Sequence, residues 1–331
     1  MLKGQLDKLI IESNLLKDNP LGDPFKRECP VYLPPDYSAQ NHYPLLLDLA
    51  PYTSSGLARV AWKNFSKNIP ERIEDLILQG KIPPVIVAFP DCFTRLGGNQ
   101  YINSAALGPY EDHIMQEVVP QIEQTYPCGG TGKRGVYGKS SGGYAALVYG
   151  MRYPDFWSAI ACQSGDMGFE LGYLYDMPQV LTTLASYDYS IQKFFEAFEQ
   201  SDQPRDSDIH LLMILAMGAT YDPSPDSRDY LGIRLPVNPK TMDIIPERWE
   251  NWLKHDPLEM INCHGENLKK LKSLFIDCGA QDQYRLQFGA RKFSKALSDK
   301  NIPHCYDEFQ GTHSGIDYRL EHSLPFLLKS F

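Results

Sequence analysis

Five residues, Gly138-Lys139-Ser140-Ser141-Gly142, constrain this chain more than any other stretch. They follow a short β-prone run, Gly135-Val136-Tyr137, and lead into Tyr144, Ala145, Leu147, Val148 and Met151, apolar residues at helical spacing. A strand must therefore turn directly into a helix at Ser140, against a core. G-x-S-x-G is the pattern of a nucleophile elbow, in which glycines permit a sharp turn that holds a serine exposed and strained. Ser140 is accordingly a candidate nucleophile. Gly138-Lys139-Ser140 also copies the end of a phosphate-binding loop, but that loop needs a glycine five positions before its Gly-Lys pair. Position 133 is Lys133, which removes the nucleotide reading.

Around the elbow, short β-rich runs alternate with longer helical patterns, the signature of an α/β fold with a mostly parallel sheet covered on both faces. Strands are expected near Lys8–Ser13, Cys29–Leu33, Leu45–Leu49, Val85–Phe89, Gly135–Tyr137, Ser158–Gln163, Ser273–Cys278 and Cys305–Phe309. Most are near-continuous apolar runs, as strands buried on both faces require. Helices are expected over Leu57–Gln79, kinked or broken at Pro70, and over Tyr110–Gln124, disturbed at Pro120. Three more are expected over Gly142–Arg152, Arg285–Ser298 and Tyr318–Lys329.

The alternation lapses between about Asp166 and Lys270, an aromatic, proline-containing stretch that is only partly helical in pattern. A connection of that length is usually functional. Residues 1–331 are read as one domain with 166–270 as a cap inserted in it. Tyr173, Tyr175, Phe194, Phe195, Phe198, Trp249 and Trp252 are candidates to line a substrate pocket there, or to fill the cap's own core.

A serine hydroxyl is a weak nucleophile and needs a base, an orienting carboxylate and an oxyanion hole. After an elbow, the acid and the histidine follow in chain order, on loops leaving later strands at the carboxyl edge of the sheet. Leu274–Cys278 runs into Gly279-Ala280-Gln281-Asp282, which places Asp282 just past a strand end; Asp277 is inside the strand and is expected to pair locally. His304–Phe309 runs into Gln310-Gly311-Thr312-His313, which puts His313 on a glycine-flanked loop, with Glu308 the second choice of acid. Of the two oxyanion donors, Ser141 supplies one amide from the helix start. The other comes from the loop Ala50–Gly56, where Pro51 has no N–H and Tyr52 is preferred to Ala50.

The totals exclude several classes. With 331 residues and 43% hydrophobic composition the chain can bury a large core. A net charge of −9, with no basic stripe interleaved with aromatics, argues against a nucleic-acid surface. There is no apolar signal core at Met1–Lys8 and no stretch of membrane-spanning length, so no membrane partner is expected. Seven scattered cysteines, none in C-x-x-C spacing, suit a reducing cytoplasm. Cys263-His264 lacks further ligands at useful spacing; neither a metal nor a cofactor is expected.

Several segments together resemble the esterase D-type branch of the α/β-hydrolase superfamily, which includes S-formylglutathione hydrolases, enterobactin and feruloyl esterases, and mycolyltransferases. They are Val31–Tyr37, Phe89-Pro90-Asp91, Tyr110-Glu111-Asp112, Gly138–Gly143, Asp277–Asp282 and Gly311-Thr312-His313. The resemblance implies an α/β-hydrolase fold and a serine esterase acting on a small-molecule ester. Carried over by position, it makes Ser140 the nucleophile, Asp282 the acid and His313 the base, with Tyr52 and Ser141 as oxyanion donors. Two departures stand out: Ala50-Pro51 replaces the usual His-Gly or Asp-Gly before the oxyanion donor, and Ser141 stands where many relatives have methionine. An acyltransferase passing the acyl group to an alcohol, and a non-catalytic scaffold of the same fold, are the alternatives.

Overall fold

The computed structural model describes every residue except Met1, Pro225, Ser227 and Ser330. Eight strands among the described residues form one sheet: β1 (Gln5–Glu12), β2 (Lys26–Leu33), β3 (Leu45–Leu49), β4 (Ile86–Ala88), β5 (Arg134–Lys139), β6 (Ala159–Gln163), β7 (Ser273–Gly279) and β8 (Cys305–Phe309). Their spatial order is β1-β2-β4-β3-β5-β6-β7-β8. β2 runs antiparallel to both its neighbours, and every pairing from β4 to β8 is parallel.

The unbroken apolar runs follow from the two covered faces. Along β3, Leu45, Leu47 and Leu49 enter one core and Leu46 enters the other; on β5, Val136 and Tyr137 divide in the same way. The helix Ser141–Arg152 packs into the first core, while Ile69–Leu78 and Leu320–Leu328 cover the second.

At two prolines the structure shows how the expected interruptions are made. The stretch Leu57–Gln79 is two helices, Gly56–Val60 and Ile69–Leu78, with Pro70 in the first turn of the second instead of kinking one long helix. Proline's missing N–H costs nothing in a first turn, and Asn68 with Glu71 closes a capping box around that start. Over 110–125 the helix is continuous but widens to a π-helical turn at His113–Val118, just before Pro120 in Val119–Thr125. The wider turn accommodates the lost donor.

The stretch between β6 and β7 is more helical than its sequence suggests. Met177–Ala185, Ile191–Glu199, Asp206–Tyr221, Pro246–Leu253 and Pro257–His264 are all helices. Asp206–Tyr221 is nearly all apolar from Leu211 onward and buried along that length, so it lacks the one-sided pattern by which surface helices are recognised. No described helix is long and apolar enough to cross a membrane.

Candidate active site

The parallel register aligns the carboxyl ends of the central strands. Leu49 pairs with Gly138, Gly138 with Cys162, Cys162 with Ile276, and Gly279 with Phe309. Tyr52, Ser140, Asp166, Asp282 and His313 each follow one of these strand ends within four residues. Four of them border one cavity of about 130 Å³: Tyr52, Ser140, Asp166 and His313.

Ser140 has φ 55° and ψ −120°, a left-handed conformation that a side chain rarely adopts. Its flanking glycines are required by close approach. A Cβ on Gly142 would lie 1.8 Å from the Leu49 carbonyl oxygen, and one on Gly138 would lie 2.5 Å from the same atom. The elbow is thus pressed onto the end of β3, and the turn has no room to relax. Lys139, beside it on the cavity wall, has its ammonium pushed down by burial against the opposing pull of Asp317.

Asp282 and His313 meet across two loops that are hydrogen-bonded to each other. Ala280 N–H donates to Phe309 O (2.8 Å) and Gln281 N–H to Gly311 O (2.9 Å). His313 Nδ1 lies 2.8 Å from Asp282 Oδ2, while Asp282 Oδ1 accepts the Tyr284 amide at 2.9 Å. Asp282 is 3% exposed and His313 7%, so this pair is shielded from water. The Tyr284 ring meets the imidazole edge-on at 4.9 Å between centroids and completes the wall on that side. With Nδ1 engaged, Nε2 is the nitrogen left for chemistry.

The backbone amides of Tyr52 and Ser141 have no acceptor among the described residues. The Tyr52 loop is clamped on both sides: Tyr52 OH donates to Leu96 O (2.6 Å) and Tyr101 OH to Ala50 O (2.8 Å). A Cβ on Gly98 would fall 2.1 Å from Tyr52 O. These contacts hold a loop that has Ala50-Pro51 and no glycine before Tyr52.

No hydrogen bond joins Ser140 to His313 among the described residues. Ser140 Oγ donates instead to Asp166 Oδ1, at 3.4 Å. Sequence reasoning used Asp166 only as the start of the cap, although the rule that singled out Asp282, a carboxylate just past a strand end, applies equally to it. Gln100, which bonds Asp166 from behind, carries no signal in the sequence.

Of the aromatics between Asp166 and Lys270, Tyr173 borders the cavity, as do Met213 and Leu286, which the sequence did not single out. Trp249 and Trp252 lie outside its lining. Trp252 is fully buried, 5.7 Å from Tyr173, 5.4 Å from Tyr221 and 6.1 Å from Trp249 between ring centroids. Phe194, Phe195 and Phe198 pack with Tyr187 and Tyr230 in another such cluster. Asp277 pairs with Arg319, and Glu308 with Arg291 at the surface, so neither meets His313.

Comparison with known proteins places this geometry. The sequence model of the Esterase family, described as "Putative esterase", matches residues 25–321. No curated protein matches the sequence. Among solved structures, a ferulic acid esterase superposes with a TM-score of 0.65 at 18% identity, covering 100% of both chains. The Staphylococcus aureus fluorophosphonate-binding serine hydrolase F, in a substrate-bound structure, gives 0.60 at 16% identity over 98% of each chain. An S-formylglutathione hydrolase from Agrobacterium tumefaciens gives 0.60 at 13% identity, over 100% of this chain and 96% of that one. At such identities the structural likeness speaks for the α/β-hydrolase fold. The family match spans nearly the whole chain and adds the chemistry: this protein belongs to the Esterase family, as a carboxylic ester hydrolase.

Proposed function

We propose that the protein cleaves its ester through an acyl-enzyme, with Ser140 as nucleophile, His313 as general base and Asp282 as the orienting acid. The observation that carries this reading is the 2.8 Å Asp282–His313 pair, whose imidazole borders the same cavity as a serine held at φ 55°. Oγ attacks the carbonyl carbon while its proton passes to Nε2. The amides of Tyr52 and Ser141 receive the developing oxyanion. The tetrahedral adduct then expels the alcohol, which takes the proton back from His313; water repeats the sequence and releases the acid. Asp282 keeps Nδ1 protonated and stabilises the imidazolium in both halves. In apo structures such hydrogen bonds are often unmade, and here Ser140 must rotate from Asp166 toward His313.

Residues 166–270 serve as a cap in this reading, supplying Asp166, Tyr173 and Met213 to the cavity wall. A second cavity of about 430 Å³ shares Tyr52, Thr53, Met213 and Tyr284 with the first and gives the leaving alcohol a route out.

The test is a fluorophosphonate probe together with hydrolysis of a nitrophenyl ester. The protein should be labelled at Ser140, and Ser140→Ala should lose labelling and at least about 10⁴-fold in kcat while unfolding at the same temperature. Full turnover by Ser140→Ala would refute the assignment.

A further inference from the structure

Asp166 is the one carboxylate in contact with the candidate nucleophile among the described residues, and the acyl-transfer scheme gives it no task. It is 8% exposed. Its two oxygens are in unlike surroundings. Oδ2 accepts both Gln100 Nε2 (3.0 Å) and Tyr173 OH (2.9 Å), donors that are themselves anchored, Gln100 to Ser141 Oγ at 3.1 Å and Tyr173 beside Tyr221 OH at 3.4 Å. Among the described residues Oδ1 has only the Ser140 hydroxyl, at a long 3.4 Å. The carboxyl group is therefore fixed from behind, with its weakly satisfied oxygen turned to the reaction centre. Burial pushes its pKa up, opposed by Gln100, Tyr173 and His313.

Forming the acyl-enzyme makes this worse. Once Oγ is esterified it has no hydrogen to give, and Oδ1 loses its donor inside a small cavity. A buried acceptor left bare costs about 1–3 kcal/mol, more when it carries charge. That cost vanishes if the acyl group brings a donor to the same place. The carbonyl carbon lies one bond from Oγ, and a good hydrogen bond to Oδ1 is about 2.7–3.0 Å long. With Oδ1 3.4 Å from Oγ, a substituent close to the carbonyl, on the second or third carbon of the acyl chain, is within reach of it.

We propose that Asp166, held by Gln100 and Tyr173, is a specificity-determining residue that selects acyl groups carrying a hydroxyl or ammonium on their second or third carbon. The proposal rests on Ser140 being the nucleophile. It also disfavours acyl groups with a carboxylate at that position, which would face Oδ1 as like charge.

Two isomeric nitrophenyl esters test it: 3-hydroxybutyrate, whose oxygen can donate, and 3-methoxypropanoate, whose oxygen sits on the same carbon and only accepts. Pentanoate serves as the apolar reference. The wild-type enzyme should favour the hydroxy ester over the methoxy isomer by at least about tenfold in kcat/KM. In Asp166→Asn the amide oxygen should take the place of Oδ2, facing Gln100 and Tyr173, and the NH₂ that of Oδ1. The acceptor before Ser140 becomes a donor, and the ratio should fall to about one or below. A wild-type ratio near one, a preference for the methoxy ester, or a ratio unchanged in Asp166→Asn would overturn the proposal. Should that variant not fold, the wild-type ratio decides by itself. Failure here is distinct from failure of the nucleophile assignment: the first leaves pentanoate cleaved and Ser140 labelled by fluorophosphonate, whereas the second abolishes that labelling.

Discussion

Asp277 and Asp282 stand five residues apart, on β7 and on the loop that continues it, and both are buried. Asp277 is held in the ladder opposite Gln163 and Asp307, with Arg319 3.0 Å from Oδ2; its Oδ1 has no partner among the described residues. Burial pushes its carboxyl up, to about 7, against the pull of Arg319. Asp282, beyond the strand end, gains a backbone amide on one oxygen and an imidazole on the other. The difference is in the partner. A guanidinium never gives up its proton, so Asp277–Arg319 can only hold the fold together. An imidazole exchanges protons near neutrality, so the same acid a few residues later can support a reaction.

The sharpest way to break this contrast is to neutralise each acid's role in turn. Asp282→Asn should lower kcat by about 10⁴-fold, through loss of the correct imidazole tautomer, with a change in stability of about 1 kcal/mol or less. Kinetics and thermal unfolding of one preparation check both halves; a large loss of stability with modest loss of activity would reverse the assignment. Arg319→Met should do the opposite, costing about 3 kcal/mol in denaturant unfolding by stranding Asp277 and freeing Asp307, with kcat little changed in the folded fraction. Its sign with pH follows from linkage. A carboxyl whose folded pKa lies above its unfolded one binds more protons when folded, so stability falls as pH rises through that range. Removing the cation pushes Asp277 higher still, and the deficit of Arg319→Met should therefore be larger at pH 8.5 than at pH 5.

A half-buried group with no counter-ion among the described residues sharpens the comparison further. His255 stacks on Tyr221 at 5.4 Å, has no partner for Nδ1 among the described residues, and is pushed down to about 4 by burial, helped by Arg152 and Lys254. The unfolded chain binds its proton more readily, so the stability this group lends is complete above about pH 6.5. It is lost as pH falls toward 4, by at most about 3 kcal/mol. In His255→Phe the unfolding temperature should drop less between pH 7 and pH 4.5 than in the wild type; an unchanged acid limb would show that His255 plays no part in it.

The same contrast explains what could be read in the sequence. The strand Leu45–Leu49 was legible to the residue because a period-two chain buried on both faces leaves an apolar run with abrupt ends. The elbow was legible because backbone contact with Leu49 excludes any Cβ at positions 138 and 142. The meeting of Asp282 with His313 could be anticipated because both lie just past neighbouring parallel strand ends. Asp166 carried the same strand-end signal as Asp282, but nothing in its local sequence reveals that Gln100, 66 residues earlier in the chain, would be bonded to it. Nor could composition separate Tyr173, on the cavity wall, from Trp249 and Trp252, buried away from it. Which face of a helix meets a cavity is decided by packing between segments distant in sequence.

The backbone bonds that zip the loop after β7 to the loop after β8 tie Asp282 and His313 into one mechanical unit. A change in the path of one loop is therefore felt by the other. Under the proposed mechanism, engineers altering this enzyme should transplant those two loops together, because exchanging either alone would break the bonds that set Asp282 against His313.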